Sequence, residues 1–407
     1  MKRMMGITLG ILTAIGGFVD IGDLVANAET GARFRMRLAW AVVVGVVGIV
    51  VYAEMAGRVA AVSGRPVFDL VRERLGARVA LANLLASFFI NFLTLAAEIA
   101  GVALALELAS SVNYLLWIPI VAFLVWFALW RVKFETLERV FGLAGLTLVV
   151  FGVALWQLHP QGLLASALHP SPTSGESWPT YFYFAIALFG AAMTPYEVFF
   201  FSSGAVEEKW TRKDLMIERA NVLIGFPLGG ILSLLLMGTT ATLLAPRGIS
   251  VDHLSQVALP VSVALGKLGL AVLLVGVFAA TFGAALETAL SAGYTVSQYL
   301  GWQWGKFVRP KEASRFHAVV LLSIVLGGML MLTTVDPIKV TEYSIVLAAA
   351  ALPLTYFPIL VVANDPDYMG DSVNGRITNA IATVYLGLLL VVAVATIPLM
   401  IITKAGA

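Results

Sequence analysis

Asp20 and Asp23 stand three residues apart inside the first apolar stretch, in Gly16-Gly17-Phe18-Val19-Asp20-Ile21-Gly22-Asp23. A carboxylate near a bilayer midplane costs roughly 2.5–3.5 kcal/mol on insertion scales, so such residues face a cavity or an ion pathway rather than lipid. Two acids at this spacing, beside glycines that loosen a helix, read as a cation site on a broken helix. The plainer reading is that one Asp merely caps the helix half that follows it. A second interruption lies in Gly190-Ala191-Ala192-Met193-Thr194-Pro195-Tyr196-Glu197-Val198. Proline removes a backbone donor and clashes with the preceding turn. In a bilayer such a break survives only where protein or cavity water satisfies the backbone. The exposed carbonyls then suit a cation. A simple proline kink with a packed Met193 is the competing account. Paired interruptions in corresponding positions favour the site.

Other acids lie within apolar stretches. Glu98 stands in Leu95-Ala96-Ala97-Glu98-Ile99-Ala100-Gly101. It is expected to serve as a second ligand shell or as an outer-vestibule carboxylate, the alternative being a protonated, hydrogen-bonded core residue. Glu54 and Glu287 are weaker candidates of the same kind. Glu197 directly follows the second break and either captures cations or caps its helix. All four histidines, His159, His169, His253 and His317, fall in loops or at span ends. That leaves no imidazole relay at midplane. No Gly-x-Ser-x-Gly, His-Glu-x-x-His or phosphate-loop motif is present, so the residues do not read as an enzyme.

The elements that must position these residues follow from composition. The 407 residues are 60% hydrophobic and 12% charged, with mean hydropathy +0.92, whereas soluble domains are about 25% charged. The chain is an all-α polytopic membrane protein. A net charge of +2 gives no argument for nucleic acid. Without cysteine there are no disulfides or thiolate ligands. Met1-Lys2-Arg3 before an apolar run has the outline of a leader, but the acids inside that run favour a first span.

Apolar stretches long enough to span number eleven: 7–31 (interrupted), 38–60, 81–109, 114–131, 138–158, 178–204 (interrupted), 216–245, 260–299 (long enough to kink), 315–334, 340–363 and 377–402. Most of the 26 Lys and Arg residues fall on one side of this layout. That places the N-terminus in the cytoplasm and the C-terminus outside a plasma (inner) membrane. Arg33, Arg35 and Arg37 run against the bias. The first and sixth spans are both interrupted and each opens a set of five, which points to inverted repeats with a midplane site. The expected division is 1–158 and 181–363 as the two five-helix repeats, 159–180 as an outside loop, and 364–407 as an eleventh helix with its connection. The transport unit is expected to be a monomer in the lipid bilayer.

These residues resemble the Nramp family of divalent-metal transporters. Asp20-Ile21-Gly22-Asp23 stands where the family has Asp-Pro-Gly-Asn, and Thr194-Pro195-Tyr196 where it has Met-Pro-His. Ala97-Glu98-Ile99-Ala100-Gly101 is similar to its span 3 run, and Asn364-Asp365-Pro366-Asp367-Tyr368-Met369-Gly370 to its Ser-Asp-x-x-Leu-Met-Gly. Leu352-Pro353 matches Gln-Leu-Pro except that Ala351 replaces Gln. The resemblance covers nearly the whole chain. It implies a LeuT-type fold with eleven spans, broken helices 1 and 6, and an inverted five-plus-five repeat. It also implies a metal site of Asp20, Asp23, Thr194 or Met193, and the carbonyls of Ala191 and Gly17, with Glu98, Tyr196 and Glu197 nearby. No resident cofactor is implied, since the metal is cargo.

The departures point one way. A thioether favours transition metals, whereas carboxylate, carbonyl and water suit Mg²⁺ and Mn²⁺. Asp23 in place of Asn and Thr194 in place of Met harden the site. The shortened side chains leave room for the waters Mg²⁺ retains. This resembles the Nramp-related magnesium transporters. With Tyr196 replacing the histidine, and Leu95 replacing a further family carboxylate in span 3, the expectation is uncoupled Mg²⁺ transport with Mn²⁺ accepted. The alternatives are the family's proton-coupled Mn²⁺ or Fe²⁺ import and, in last place, an organic-cation carrier of the same fold.

Overall fold

The computed structural model describes residues 18–406, and among them the regular structure is helical throughout. In chain order the helices are α1 (Ile21–Phe34), α2 (Ala39–Ser63), α3 (Val67–Leu75), α4 (Ala77–Ser110), α5 (Tyr114–Arg131), α6 (Phe134–Gly145), α7 (Val150–Gln157) and α8 (Leu163–Ala167). Then follow α9 (Trp178–Ala192), α10 (Pro195–Glu207), α11 (Leu215–Leu243), α12 (Leu254–Leu300), α13 (Ser314–Leu332), α14 (Pro337–Ala363), α15 (Pro366–Met369) and α16 (Arg376–Ile402). Ten helical segments among the described residues are long and apolar enough to cross a membrane. They match the second to eleventh stretches expected from hydropathy. The first half of the first stretch lies outside the described residues, and its second half is α1.

Bulky apolar side chains such as Leu85, Phe123, Trp156, Leu322, Val384 and Val394 point outward, as a lipid-facing surface requires. Buried inside are small residues that let backbones approach. A Cβ on Gly190 would lie 1.8 Å from the carbonyl oxygen of Ile345, so only glycine permits that crossing of α9 and α14. A Cβ on Gly31 would lie 2.1 Å from Thr240 Oγ1 and 2.4 Å from the Met237 carbonyl oxygen. This close approach fastens α1 to α11.

Prolines divide into two kinds. Pro119, Pro227, Pro353, Pro358 and Pro398 lie inside continuous helices, where neighbouring elements can satisfy the freed carbonyls. Pro195 instead begins α10 after a true interruption. The long stretch at 254–300 is also divided, at Gly266 (φ 65°, ψ −156°). This left-handed backbone suits glycine and kinks α12 where its length had suggested a bend.

Candidate metal site

The α1 break is built from backbone groups that a helix start leaves unpaired. Asp20 is the N-cap, in extended conformation, and its Oδ1 accepts the Asp23 N–H at 2.8 Å. Its Oδ2 accepts the hydroxyl of Tyr196 at 3.3 Å, which ties the α1 break to the first turn of α10. The next orphan amide, that of Ile21, donates across to Glu98 of α4, at 3.1 Å to Oε1 and 3.4 Å to Oε2. Glu98 is 0% exposed. This places Glu98 beside the start of α1.

Asp23 sits one turn into α1. Its carboxylate accepts Asn27 Nδ2 at 2.7 Å and the hydroxyl of Ser233, on α11, at 2.7 Å.

The α9–α10 break spans Met193 (φ −124°, ψ 55°) and Thr194 (φ −69°, ψ 131°). Proline at 195 has no N–H to give the carbonyl four residues earlier, and that carbonyl belongs to Ala191. It is therefore free of its helical partner and available as an oxygen ligand. Thr194 does not cap α10 with its side chain. Its hydroxyl donates to Glu197 Oε2 at 3.3 Å, while Glu197 Oε1 has no hydrogen-bond partner among the described residues. The Met193 sulfur packs on Gly48 of α2, where Tyr385 of α16 also closes in.

Ile345 of α14 joins the two breaks. Its Cγ2 meets Gly22 of α1, and its carbonyl meets Gly190 of α9.

Asp20, Asp23, Glu98 and Glu197 are all buried. Asp20, Glu98, Glu197 and Glu287 all lie within electrostatic range of Tyr196. Carboxyl groups gathered in a water-poor interior need protons or a cation to offset their charge. Among the described residues no three His, Asp or Glu side chains converge as a closed metal cage. The arrangement instead mixes acids, a hydroxyl and helix-end carbonyls, a donor set that suits a hard cation keeping some of its water. Gly17 lies outside the described residues.

Glu54 is an ion-pair partner rather than part of this site. It contacts Arg58 at 3.1 Å and Arg219 at 3.2 Å. Arg58, 5% exposed, reaches on to the Ser372 carbonyl and Asn374 Oδ1. Asn27 and Ser233 were not anticipated. The spacing of Asn27, four after Asp23 on one helix face, was the available signal; Ser233 comes from a distant segment and carried none.

The helices, interrupted between α9 and α10, make up a fold of the LeuT type. A nucleobase–cation symporter solved in a closed conformation superposes with TM-score 0.61 at 17% identity, covering 97% of this chain and 92% of that one. The Eremococcus coleocola manganese transporter superposes with TM-score 0.70 at 20% identity, covering 96% and 85%. The sequence is also similar to the divalent metal cation transporter MntH of Erwinia tasmaniensis, 26% identical over 382 residues, 89% of this chain and 86% of that protein. The family described as natural resistance-associated macrophage protein-like matches residues 10–398. The chain belongs to this Nramp family. Its named relatives are transporters rather than enzymes.

Proposed function

We propose that this chain carries divalent cations across the membrane by alternating access, with Mg²⁺ the best-fitting ion and Mn²⁺ also accepted. The ion sits between the breaks at Asp20 and Met193–Thr194. Asp20 and Asp23 supply the negative charge, and the Ala191 and Gly17 carbonyls and the Thr194 hydroxyl supply further oxygens. The observation that carries this reading is the pair of breaks held together by the Tyr196–Asp20 hydrogen bond. The Met193 sulfur lies against Gly48, which supports the hard-ion preference, since a thioether is the ligand that would favour softer metals.

Transport is electrogenic and not proton-coupled in this reading, which places the chain in the Nramp-related magnesium branch. It works as a monomer, with the five-helix repeats at 1–158 and 181–363 related by inversion. The N-terminus faces the cytoplasm and the C-terminus the outside of the plasma membrane. A second reading, proton-coupled Mn²⁺ import, is favoured by one observation: Asp20, Glu98, Glu197 and Glu287 gather around Tyr196 and offer proton-binding groups without a histidine.

Calorimetric titration of the purified protein with Mg²⁺, Mn²⁺ and an alkylammonium ion tests the substrate class. Both metals are expected to bind and compete, and the amine is expected not to bind. Saturable amine binding that excludes Mg²⁺ would move the chain to the organic-cation alternative.

A further inference from the structure

Asp23 occupies the third position of α1, where an acidic side chain usually folds back onto the N-cap amide. It does not do so here. One oxygen accepts Asn27 Nδ2 at 2.7 Å, and the other accepts Ser233 Oγ at 2.7 Å. The same Asn27 amide also donates to the Asp23 backbone carbonyl at 2.9 Å, so it grips the residue twice. The Ser233 hydroxyl has a competing acceptor, the Gly229 carbonyl, at 3.2 Å. It has one proton, and the shorter contact, to Asp23, takes it. Asn27 and Ser233 are each 1% exposed, so water does not compete for either donor.

We propose that Asn27 and Ser233 are positioning residues that clamp Asp23 in its ion-binding orientation. The proposal rests on the metal site described above. A carboxylate has about four lone-pair directions. With one donor on each oxygen, the Asp23 carboxyl group keeps one free direction per oxygen, and its rotamer is set from two helices. It then serves as an oriented acceptor for the ion or its waters rather than a mobile bidentate ligand. Ser233 lies on α11, which packs closely on α1 where Gly31 meets Thr240 and Met237. The residues flanking metal ligands act in this way generally, and losing one costs about 10–100-fold in metal affinity.

The test is initial-rate Mg²⁺ influx into proteoliposomes across a range of Mg²⁺, for the parental chain, Ser233→Ala, Ser233→Thr and Asn27→Ala. Ser233→Ala and Asn27→Ala are each expected to raise KM by roughly tenfold or more with kcat retained, and Ser233→Thr, which keeps the hydroxyl, to restore the parental KM. A role in folding alone would lower the yield of active protein and hence the maximal rate, without moving KM. If Ser233→Ala does not reconstitute, Asn27→Ala carries the test. A parental chain that moves Mg²⁺ while both alanine variants keep its KM overturns the clamp and leaves the transport reading intact. A parental chain that moves neither Mg²⁺ nor Mn²⁺ overturns the transport reading and the clamp together.

Discussion

The backbone N–H of Ile21 donates to the buried carboxylate of Glu98 at 3.1 Å, so an acid on α4 closes the helix start on which Asp20 sits. A buried amide left without an acceptor costs about 1–3 kcal/mol. Glu98→Leu is therefore expected to lower stability by about that amount in thermal unfolding in detergent. Glu98→Gln keeps a carbonyl oxygen for the amide and is expected to stay near the parental midpoint. Equal loss in both variants would assign the effect to charge rather than to this hydrogen bond.

The crossing of α9 and α14 depends on Gly190. Its Cβ would enter the Ile345 carbonyl at 1.8 Å, and backbone cannot yield as a flexible side chain can. Gly190→Ala is expected to destabilise by about 1–3 kcal/mol or more and to reduce the yield of folded protein. Gly387, in the middle of α16, has no atom within 4 Å of its built Cβ. Gly387→Ala is expected to be neutral or to stabilise by about 0.5–1 kcal/mol through helix propensity. Thermal midpoints of the two variants should therefore move in opposite directions or differ by several degrees.

Met193 and Thr194 offer a choice between sulfur and oxygen at the break. Because the sulfur packs on Gly48 beside Tyr385, Met193→Leu, close in volume, is expected to leave the ratio of Mg²⁺ to Mn²⁺ flux unchanged. A selective fall in Mn²⁺ flux would instead make the thioether a ligand in another conformation of the transport cycle.

Arg58 holds α2 to the segment after α14 through Ser372 and Asn374 while pairing with Glu54. Truncating it leaves Glu54 with Arg219 alone and removes the donor of the Ser372 carbonyl and of Asn374 Oδ1. Arg58→Ala is expected to cost about 1–3 kcal/mol in the same unfolding measurement and to leave the KM for metal unchanged, since Arg58 is not part of the site.

Hydropathy made the axial layout legible. Ten of the expected stretches coincide with apolar helices, and Asp20 and Pro195 mark the starts of α1 and α10. Azimuth was not legible. A span rich in apolar residues on every side does not say which face meets which neighbour. Nothing in the local sequence around Ser233 tells that it reaches Asp23, and nothing around Glu98 that its partner is a helix-start amide 77 positions away. Glu54 looked like an intramembrane acid until Arg58 and Arg219 were brought beside it. The kink at Gly266 was hidden for a related reason: length suggests a bend, but only backbone angles locate it.

The central claim is that Asp20 and Asp23 bind a hard divalent cation which then crosses the membrane without protons. The most direct measurement is metal influx into proteoliposomes carrying a trapped Mg²⁺ indicator and a trapped pH indicator, under an inside-negative potential. Moving two charges through 100 mV is worth about 4.6 kcal/mol, twice the single-charge value. The account predicts potential-driven Mg²⁺ and Mn²⁺ entry with a flat pH trace, and loss of both fluxes in Asp20→Ala and Asp23→Ala. Parental rates in both variants, or internal acidification that tracks metal entry, would contradict it.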